Sequence, residues 1–109
     1  MKQKNFYMLP NGIFNLKLDA YEFLIYSYLV SCAGAKGECW PSFQTMGRVL
    51  GISTHTAIRK IDSLVAKRLI DKENTTSIDR NGRARTSNNH YFIRDFSEAW
   101  DYCFRFTAG

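Results

Sequence analysis

Apolar side chains recur at helical spacing in three segments of the chain, and the first of these is the most apolar. Its positions, three and four residues apart, are Tyr21, Leu24, Ile25, Tyr28, Leu29 and Cys32. Asp19 with Glu22 three residues later is typical of a capping box at a helix start, and Gly34 is typical of a helix end. The pattern predicts a helix over residues 19–34, and its largely apolar circumference predicts a central place in the fold.

Two shorter apolar stripes follow, each directly after a serine. The first consists of Phe43, Met46, Val49 and Leu50, and the second of Ala57, Ile61, Leu64 and Val65. The hydroxyls of Ser42 and Ser53 are suited to accept an early backbone N–H, and Gly51 is suited to end the first of the two helices. The sequence therefore predicts a helix-turn-helix over residues 42–68, with a tight turn at residues 51–53.

Residues 69–94 predict a β-hairpin. Leu69 and Ile70 begin one strand, and the residues up to Ile93 end its partner. Between them, Asn81-Gly82 is the strongest short hairpin signal, because both residues tolerate positive φ. The order of elements predicts a mainly α fold with a small β-hairpin, a winged helix-turn-helix with a three-helix core and a β-wing.

The remaining segments add an N-terminal arm and a C-terminal helix to this core. Residues 1–18 contain a turn signal at residues 10–12 and predict an extended arm that packs back on the domain. Cys39-Trp40-Pro41 predicts a very short strand or an extended entry, because the residue before a proline avoids the helical region. Residues 95–106 predict a helix. Its apolar side consists of Phe96, Ala99, Trp100 and Cys103.

Length and composition fit one domain over residues 1–109, with 45% hydrophobic residues to form its core. The sequence has no apolar run long enough for a membrane span and no secretory signal at its start, so we expect a cytoplasmic protein. The three cysteines, Cys32, Cys39 and Cys103, are an odd number without a CxxC pair. They favour reduced thiols over a disulfide framework or a zinc site, and we expect no metal or cofactor.

The net charge of +5 is concentrated in the middle of the chain. Residues 40–94 contain ten Lys/Arg against four Asp/Glu, whereas the rest of the chain contains five against six. A basic region on an otherwise balanced protein is typical of one that binds a polyanion. The alternative is a solvated basic face that only aids solubility.

The second helix of the predicted pair has a polar side opposite its core stripe, and a helix has the width of the DNA major groove. On a helical wheel His55, Arg59, Asp62 and Ser63 lie on that side, with Thr56 and Lys60 on a flank. Arg59 is suited to a bidentate contact with guanine or to a phosphate, and Thr54 and Thr56 are suited to phosphates. The alternative is an ordinary amphipathic surface helix.

The sequence leaves the roles of two residues of this helix open. Ile58 either packs at the domain edge or contacts a thymine methyl group, and His55 either hydrogen-bonds to DNA or is an ordinary exposed residue. Arginines at the hairpin tip are suited to the minor groove or the DNA backbone, although charges on an edge hairpin also prevent aggregation. The complete set of candidate DNA contacts is Ser42, Ser53, Thr54, His55, Thr56, Arg59, Lys60, Ser63, Arg80, Arg83 and Arg85.

The stretch WPSFQTMGRVLGISTHTAIRKIDSLVAKRLI resembles the bacterial winged helix-turn-helix DNA-binding domains of phage and mobile-element replication initiators and of small transcription regulators. The matching positions are Pro41-Ser42, Leu50-Gly51-Ile52-Ser53, Thr56, Ile61, Leu64 and Leu69-Ile70. Thr86-Ser87-Asn88 also resembles the family's wing.

Three departures from the family pattern bear on the structure. Arg68 stands where the family usually has a glycine at the helix end, which implies either a left-handed arginine or a different helix end. Ala57 replaces a usual valine, so packing beneath the second helix of the pair is expected to be looser. SNNHY, residues 87–91, is one residue longer than the common wing, which affects the register of the return strand.

The resemblance implies sequence-specific binding of double-stranded DNA by a small transcriptional regulator of a phage or mobile element. The alternatives are a DNA-binding module of a replication initiator or replisome organiser, and a protein–protein module without DNA binding. We expect no enzyme, because the only arguable catalytic set is Cys39, His90 and an acid. We expect a stand-alone protein unless the sequence is a fragment, and a homodimer through the C-terminal helix unless that helix covers its own subunit.

Overall fold

The computed structural model describes residues 9–78, 80–82 and 84–107, and the side chains of residues 9–73, 80–82 and 89–103. It contains four α-helices and three strands within that part of the chain. In chain order they are α1 (Ala20–Ala33), β1 (Glu38–Cys39), α2 (Phe43–Leu50), α3 (Thr54–Ala66), β2 (Ile70–Ile78), β3 (Ala84–Ile93) and α4 (Phe96–Thr107). Two short 3-10 helices, Asn11–Leu16 and Gly34–Lys36, flank α1. This architecture confirms the predicted winged helix-turn-helix.

Local capping interactions begin each of the first three α-helices, as the sequence predicts. The Asp19 carboxylate accepts the Glu22 amide at 2.7 Å while the Glu22 carboxylate accepts the Asp19 amide at 3.0 Å, which is a complete capping box. Ser42 and Ser53 are the N-caps of α2 and α3. These bonds satisfy amides at the helix starts that have no partner within the helix.

Residues 1–8 of the predicted extended arm lie outside the described residues, and the part that follows is not an extended segment. Residues 11–16 form a 3-10 helix that begins after Pro10 and ends at Lys17, which has a left-handed φ of 57°. Its two buried side chains, Ile13 and Leu16, are three residues apart, which matches the three-residue repeat of a 3-10 helix. The apolar pair therefore anchors a compact turn on the core.

The sheet has the order β1-β3-β2, and both neighbouring pairs are antiparallel. Thr75 pairs with Asn88 and Thr76 pairs with Thr86, so Ser87 is an extra residue in β3 and forms a bulge. This bulge lies within the segment that is one residue longer than the family's wing. Residues 80–82 lie between β2 and β3 and belong to neither strand, so the connection is longer than the predicted two-residue Asn-Gly turn. Of those two residues, only Gly82 has a positive φ, at 75°.

One core joins the helices to the inner face of the sheet. Its buried residues include Ile25 and Leu29 of α1, Ile61 and Leu64 of α3, and Tyr91 of β3. Ala57, on the core side of α3, is also completely buried. In the part of the chain that the structure describes, no helix has both the length and the apolar character to cross a membrane.

A close backbone contact fixes the turn between α2 and α3. Gly51 ends α2 with a left-handed φ of 70°, and the Gly47 carbonyl accepts the amides of Gly51 and Ile52 at 2.9 and 3.1 Å. A Cβ atom on Gly47 would lie 2.8 Å from the Ile52 carbonyl oxygen. Position 47 therefore excludes any side chain, because the atom it would meet belongs to the backbone of the turn.

The end of α3 resolves one departure from the family pattern. Arg68 is left-handed, with a φ of 67°, and the Leu69 amide donates to the Leu64 carbonyl at 3.2 Å. This is the geometry of a Schellman-type helix end, which usually has glycine at the left-handed position. The Arg68 guanidinium lies 5.3 Å from the centre of the Tyr102 ring in α4, so its side chain also joins the wing side of α3 to the C-terminal helix.

Candidate nucleic-acid interface

The outward side of α3 is the most exposed part of the helix pair. Thr54, His55 and Arg59 are exposed, whereas Ala57 and Ile61 are completely buried on the opposite side. Ile58 is 38% exposed, so an apolar side chain borders the polar surface. Asp62 is also exposed. The outward side therefore offers a guanidinium, an imidazole, a hydroxyl, a carboxylate and one apolar contact.

The two cap serines and their neighbours are engaged in local hydrogen bonds. Ser53 accepts the Thr56 amide at 3.0 Å and donates its hydroxyl to the Thr56 hydroxyl at 2.8 Å. Ser42 makes the same pair of bonds with Thr45, at 3.0 and 2.9 Å. These contacts fix the starts of α2 and α3, and each hydroxyl oxygen retains acceptor capacity for a further donor.

A second side of α3 contacts α1 through charged groups. Lys60 pairs with the Asp19 carboxylate at 2.5 Å. Ser63 donates to the Glu22 carboxylate at 2.5 Å, and Lys67 lies 2.7 Å from the same carboxylate. The helical wheel therefore misplaces Ser63, which faces α1 instead of the outward side. Lys60 likewise faces α1, because α1 crosses α3 on the flank where both residues lie.

Glu22 is the centre of this contact, which we call the α1–α3 clamp and define by Asp19, Glu22, Lys60, Ser63 and Lys67. Its side chain is 4% exposed. Burial alone would raise the pKa of Glu22, but hydrogen bonds from the Asp19 amide, Lys67 and Ser63 outweigh it, and the pKa lies below its ordinary value. Glu22 is therefore a buried, fully ionised acceptor that fixes α3 against α1.

The α2–α3 pair with α1 beside it matches a known family model. Residues 16–70, half of the chain, match the model of the helix-turn-helix domain. The chain belongs to the helix-turn-helix domain family. This membership confirms the resemblance found in the sequence and indicates DNA binding. A comparison with curated proteins gave no match.

The helix-turn-helix match extends from the end of the first 3-10 helix to the first residue of β2. It therefore includes α1 and the α1–α3 clamp, whereas almost all of the wing and the whole of α4 lie outside it. The clamp and the turn at Gly47 belong to the matched part of the chain. The roles of the parts outside the match rest on their own geometry.

The wing of this helix-turn-helix domain is described only in part. Arg80 is exposed beside the turn that contains Gly82. Arg83 lies outside the described residues, and the side chain of Arg85 lies outside the described side chains, although its backbone belongs to β3. Of the three predicted wing contacts, the structure therefore places Arg80 alone, at the tip of the hairpin.

Two important positions of the helix-turn-helix domain were not found as functional candidates by sequence reasoning. Gly47 controls the turn, and Lys67 completes the clamp. Glu22 was recognised for its capping role only. A usable signal was present in Ser63 and Lys67, which are four residues apart on one side of α3 and can therefore contact the same acid.

The arguable catalytic set is not brought together. Cys39 is buried on the inner face of the sheet, where its thiol contacts the Leu29 carbonyl at 3.7 Å. His90 precedes the inward-facing Tyr91 and stacks on Trp40, on the outer face. Burial raises the pKa of the Cys39 thiol to about 11, which keeps it protonated. Among the described residues, no three His, Cys, Asp or Glu side chains are placed to hold a metal ion.

The apolar side of α4 packs on its own subunit. Ala99 is buried in the core, and Phe96 and Trp100 contact it. A Cβ atom on Gly12 would lie 2.9 Å from the Trp100 ring, so the C-terminal helix closely covers the first 3-10 helix. The described part of α4 therefore packs its apolar side against its own subunit, and a dimer through this helix stays a prediction.

Proposed function

We propose that the protein binds double-stranded DNA sequence-specifically as a small transcriptional regulator of a phage or mobile element. The observation that carries the proposal is the anchoring of α3 on two sides. Its core side packs on the domain and its flank is fixed by the α1–α3 clamp. The remaining side, with Thr54, His55 and Arg59, is left facing solvent in a fixed orientation.

In this proposal α3 enters the major groove and Arg59 reads a guanine edge by a bidentate contact. Thr54 and the backbone amides at the start of α3 contact phosphates, where the helix dipole favours an anion. Thr56, which accepts from Ser53, can donate its own hydroxyl to a phosphate, whereas Ser42 and Ser53 become phosphate contacts only if they redirect the hydroxyl protons that they donate to Thr45 and Thr56. Ile58 is suited to a thymine methyl group because it lies exposed beside Arg59.

Lys60 and Ser63 have a different role in this proposal from the one their sequence positions predict. Because both are bonded to carboxylates of α1, they orient α3 instead of reading bases. The wing contributes Arg80, together with Arg83 and Arg85 as candidates from the sequence, to contacts along the DNA backbone. Backbone contacts of this kind position a protein without specifying sequence.

The decisive experiment is selection of bound fragments from random duplexes, followed by titrations of the selected site and a scrambled site. Arg59→Ala should reduce the preference for the selected site by about 5- to 150-fold, the equivalent of one bidentate base contact. Lys36→Ala is the matched control. Lys36 is exposed beyond the far end of the 14-residue α1, about 20 Å from the Asp19–Lys60 contact.

Retention of site preference in Arg59→Ala would exclude α3 as the base-reading element. Equal loss of affinity in Arg59→Ala and Lys36→Ala would indicate only nonspecific attraction of a basic protein to DNA. Absence of any duplex binding at low salt would favour the protein–protein module. Salt dependence adds a check, because each phosphate contact contributes about −0.9 to the slope of log affinity against log salt.

An origin-binding module of a replication initiator would use the same surfaces, and helix-turn-helix membership is common to both roles. The location of the selected site separates them, because a regulator's site overlaps a promoter and an initiator's sites repeat within an origin. A homodimer through α4 also stays a prediction. Sedimentation of the whole chain and of a form without residues 95–109 tests it, and a monomeric whole chain would refute it.

A further inference from the structure

The face of the sheet that points away from the helices carries an aromatic stack bordered by carboxylates. Side chains alternate between the two faces of a strand, and Tyr91 and Cys39 point into the core. His90, Phe92, Glu38 and Trp40 therefore lie on the opposite side. Across the sheet, Glu73 pairs with His90, and Asp71 and Glu38 pair with Phe92. We call these six side chains the outer sheet face.

Three rings form a continuous stack at the centre of the outer sheet face. The Trp40 and His90 centroids are 4.4 Å apart with planes inclined by 24°, and the His90 and Phe92 centroids are 4.0 Å apart. Trp40 ends the stack and is 49% exposed. Because the His90 side chain is only 17% exposed, Trp40 is the ring that the stack presents to solvent. Stacking on His90 already orders Trp40, which lowers the entropic cost of binding a partner.

Charge decides which partner suits this stack. An exposed aromatic stack on a sheet suits unpaired nucleobases, but a nucleic acid also needs cationic groups for its phosphates. Here the acidic groups predominate. Glu38 lies 3.5 Å from the His90 ring, and Glu73 is exposed directly opposite His90. These carboxylates repel phosphates and attract a cation.

The neighbouring cationic side chains, Arg94 and Lys72, do not neutralise the carboxylates of Glu38 and Glu73. Arg94 is bonded to Asp71 at 3.1 Å and to Glu98 at 2.5 Å, so its charge is already shared between two carboxylates. Lys72 points to the other face of the sheet, where it lies 5.3 Å from the Phe43 ring. Glu38 and Glu73 therefore remain beside the stack as acceptors for a cationic group from outside.

We propose that the outer sheet face docks an arginine-bearing segment of a protein partner. One guanidinium stacks on the exposed face of Trp40 and pairs with Glu38, and a second guanidinium of the segment pairs with Glu73, which lies on β2 across β3. Arginine fits this site better than lysine because its planar group both stacks on rings and donates to carboxylates in a fork. Tryptophan and arginine are also the side chains that most often dominate binding energy at protein interfaces.

This docking surface is separate from the proposed DNA-contacting side of α3. The core lies between them, because α3 packs through Ile61 and Leu64 on the side of the sheet where Tyr91 is buried. The protein can therefore engage a partner while α3 is bound to a duplex, and the docking proposal does not rest on the DNA-binding one.

The test uses the whole protein and the probe peptide acetyl-Gly-Arg-Gly-Arg-Gly-amide, followed by nuclear magnetic resonance of backbone amides and the Trp40 indole. The matched probe carries citrulline, an uncharged analogue, at both arginine positions. We expect shifts confined to residues 38–40, 71–73 and 89–92 with the arginine probe, and at least fivefold weaker shifts or affinity with the citrulline probe.

Variants then assign the interaction to its side chains. Trp40→Ala should weaken the arginine probe about two- to fivefold, the loss expected for an exposed cation–π contact. The double variant Glu38→Gln/Glu73→Gln leaves the core intact and should weaken it by a similar factor. Val49→Ala removes another exposed apolar side chain, and Asp62→Asn removes an exposed carboxylate of α3 on the other side of the core; neither should change the affinity.

Four outcomes would overturn the proposal. No shifts at millimolar arginine probe would mean that the face has no affinity for the cation. Equal binding of the citrulline probe would mean an apolar site. Concentration-dependent shifts of the same residues without peptide would identify a second copy of the chain as the occupant, and shifts of these residues on adding DNA would identify nucleic acid.

Discussion

Substitution of Glu22 by glutamine tests whether the α1–α3 clamp stabilises the folded protein. Glutamine preserves the volume and one acceptor oxygen but removes the negative charge that faces Lys67 at 2.7 Å. The Glu22 carboxylate accepts hydrogen bonds from the Asp19 amide, Ser63 and Lys67. Charge-assisted bonds contribute more than neutral ones, so we expect the free energy of unfolding to fall by about 1.5–3 kcal/mol at pH 7.

The matched control is Glu98→Gln, which removes the same charge from an exposed ion pair. Glu98 pairs with Arg94 at 2.5 Å, but its side chain is 48% exposed. An exposed pair of this kind contributes about 0.2–0.5 kcal/mol, because water and salt screen it. Urea unfolding of the parent protein and both variants, followed by circular dichroism, gives the three free energies of unfolding directly.

The pH dependence supplies an independent check on Glu22. Because its folded pKa lies below its ordinary value, its contribution is present above the unfolded pKa and is lost as pH falls through the folded pKa. The difference in unfolding free energy between the parent and Glu22→Gln should therefore be constant near neutral pH and shrink below about pH 4.3. A difference no larger than that of Glu98→Gln, or one unchanged down to pH 3, would refute the reasoning.

Three further predictions concern the turn, the end of α3 and the thiols. Gly47→Ala places a Cβ atom 2.8 Å from the Ile52 carbonyl oxygen, so it should lower the free energy of unfolding by about 1–3 kcal/mol. The control Gln44→Ala, at an exposed position of the same helix, should change that free energy by less than about 0.5 kcal/mol. The Arg68→Gly variant should be more stable than the Arg68→Ala variant by about 0.5–1 kcal/mol in thermal unfolding. Both variants lack the guanidinium, and only alanine is strained at a φ of 67°. Equal stabilities would contradict a left-handed residue 68. With Ellman's reagent at pH 8, the exposed Cys32 should react in the native protein. Cys39 should react only after unfolding, because its thiol pKa is raised to about 11. Labelling of Cys39 in the native protein, read by mass spectrometry, would show that the core opens there.

The helix starts could be predicted from the sequence because their signals are local. Asp19, Ser42 and Ser53 each accept an amide three residues ahead, so the relevant groups lie within one turn of chain. The Gly51 stop is equally local, since it depends on the φ of one residue. These signals, with the apolar stripes, were enough to locate α1, α2 and α3.

The partners around α3 could not be predicted in the same way. A helical wheel gives the angle of a side chain relative to the core, but it contains no information about which element packs beside the helix. Ser63 and Lys67 meet Glu22 across more than 40 positions of sequence. Only the crossing of α1 over α3, which depends on the whole core, brings these groups together.

The N-terminal segment and the wing show two other causes of error. The turn signal at Pro10 was correct in position, but the continuation into a 3-10 helix depends on burial of Ile13 and Leu16 against distant residues. In the wing, the Asn81-Gly82 pair suggested a two-residue turn. The longer connection depends on strand register, which a short local signal does not determine. The extra residue in segment 87–91 had indicated a change of register in the return strand, and the bulge at Ser87 lies there.

The contact between Gly12 and Trp100 has a consequence for how the chain matures during synthesis. The 3-10 helix near the N-terminus is covered by Trp100, which the ribosome adds roughly 85 residues later. At the usual rate of translation this is a delay of about 4–17 s. Throughout that interval the early segment has an uncovered apolar surface. A nascent chain arrested before α4 should therefore recruit chaperones through this surface, and release of the last helix from the ribosome should end that recruitment.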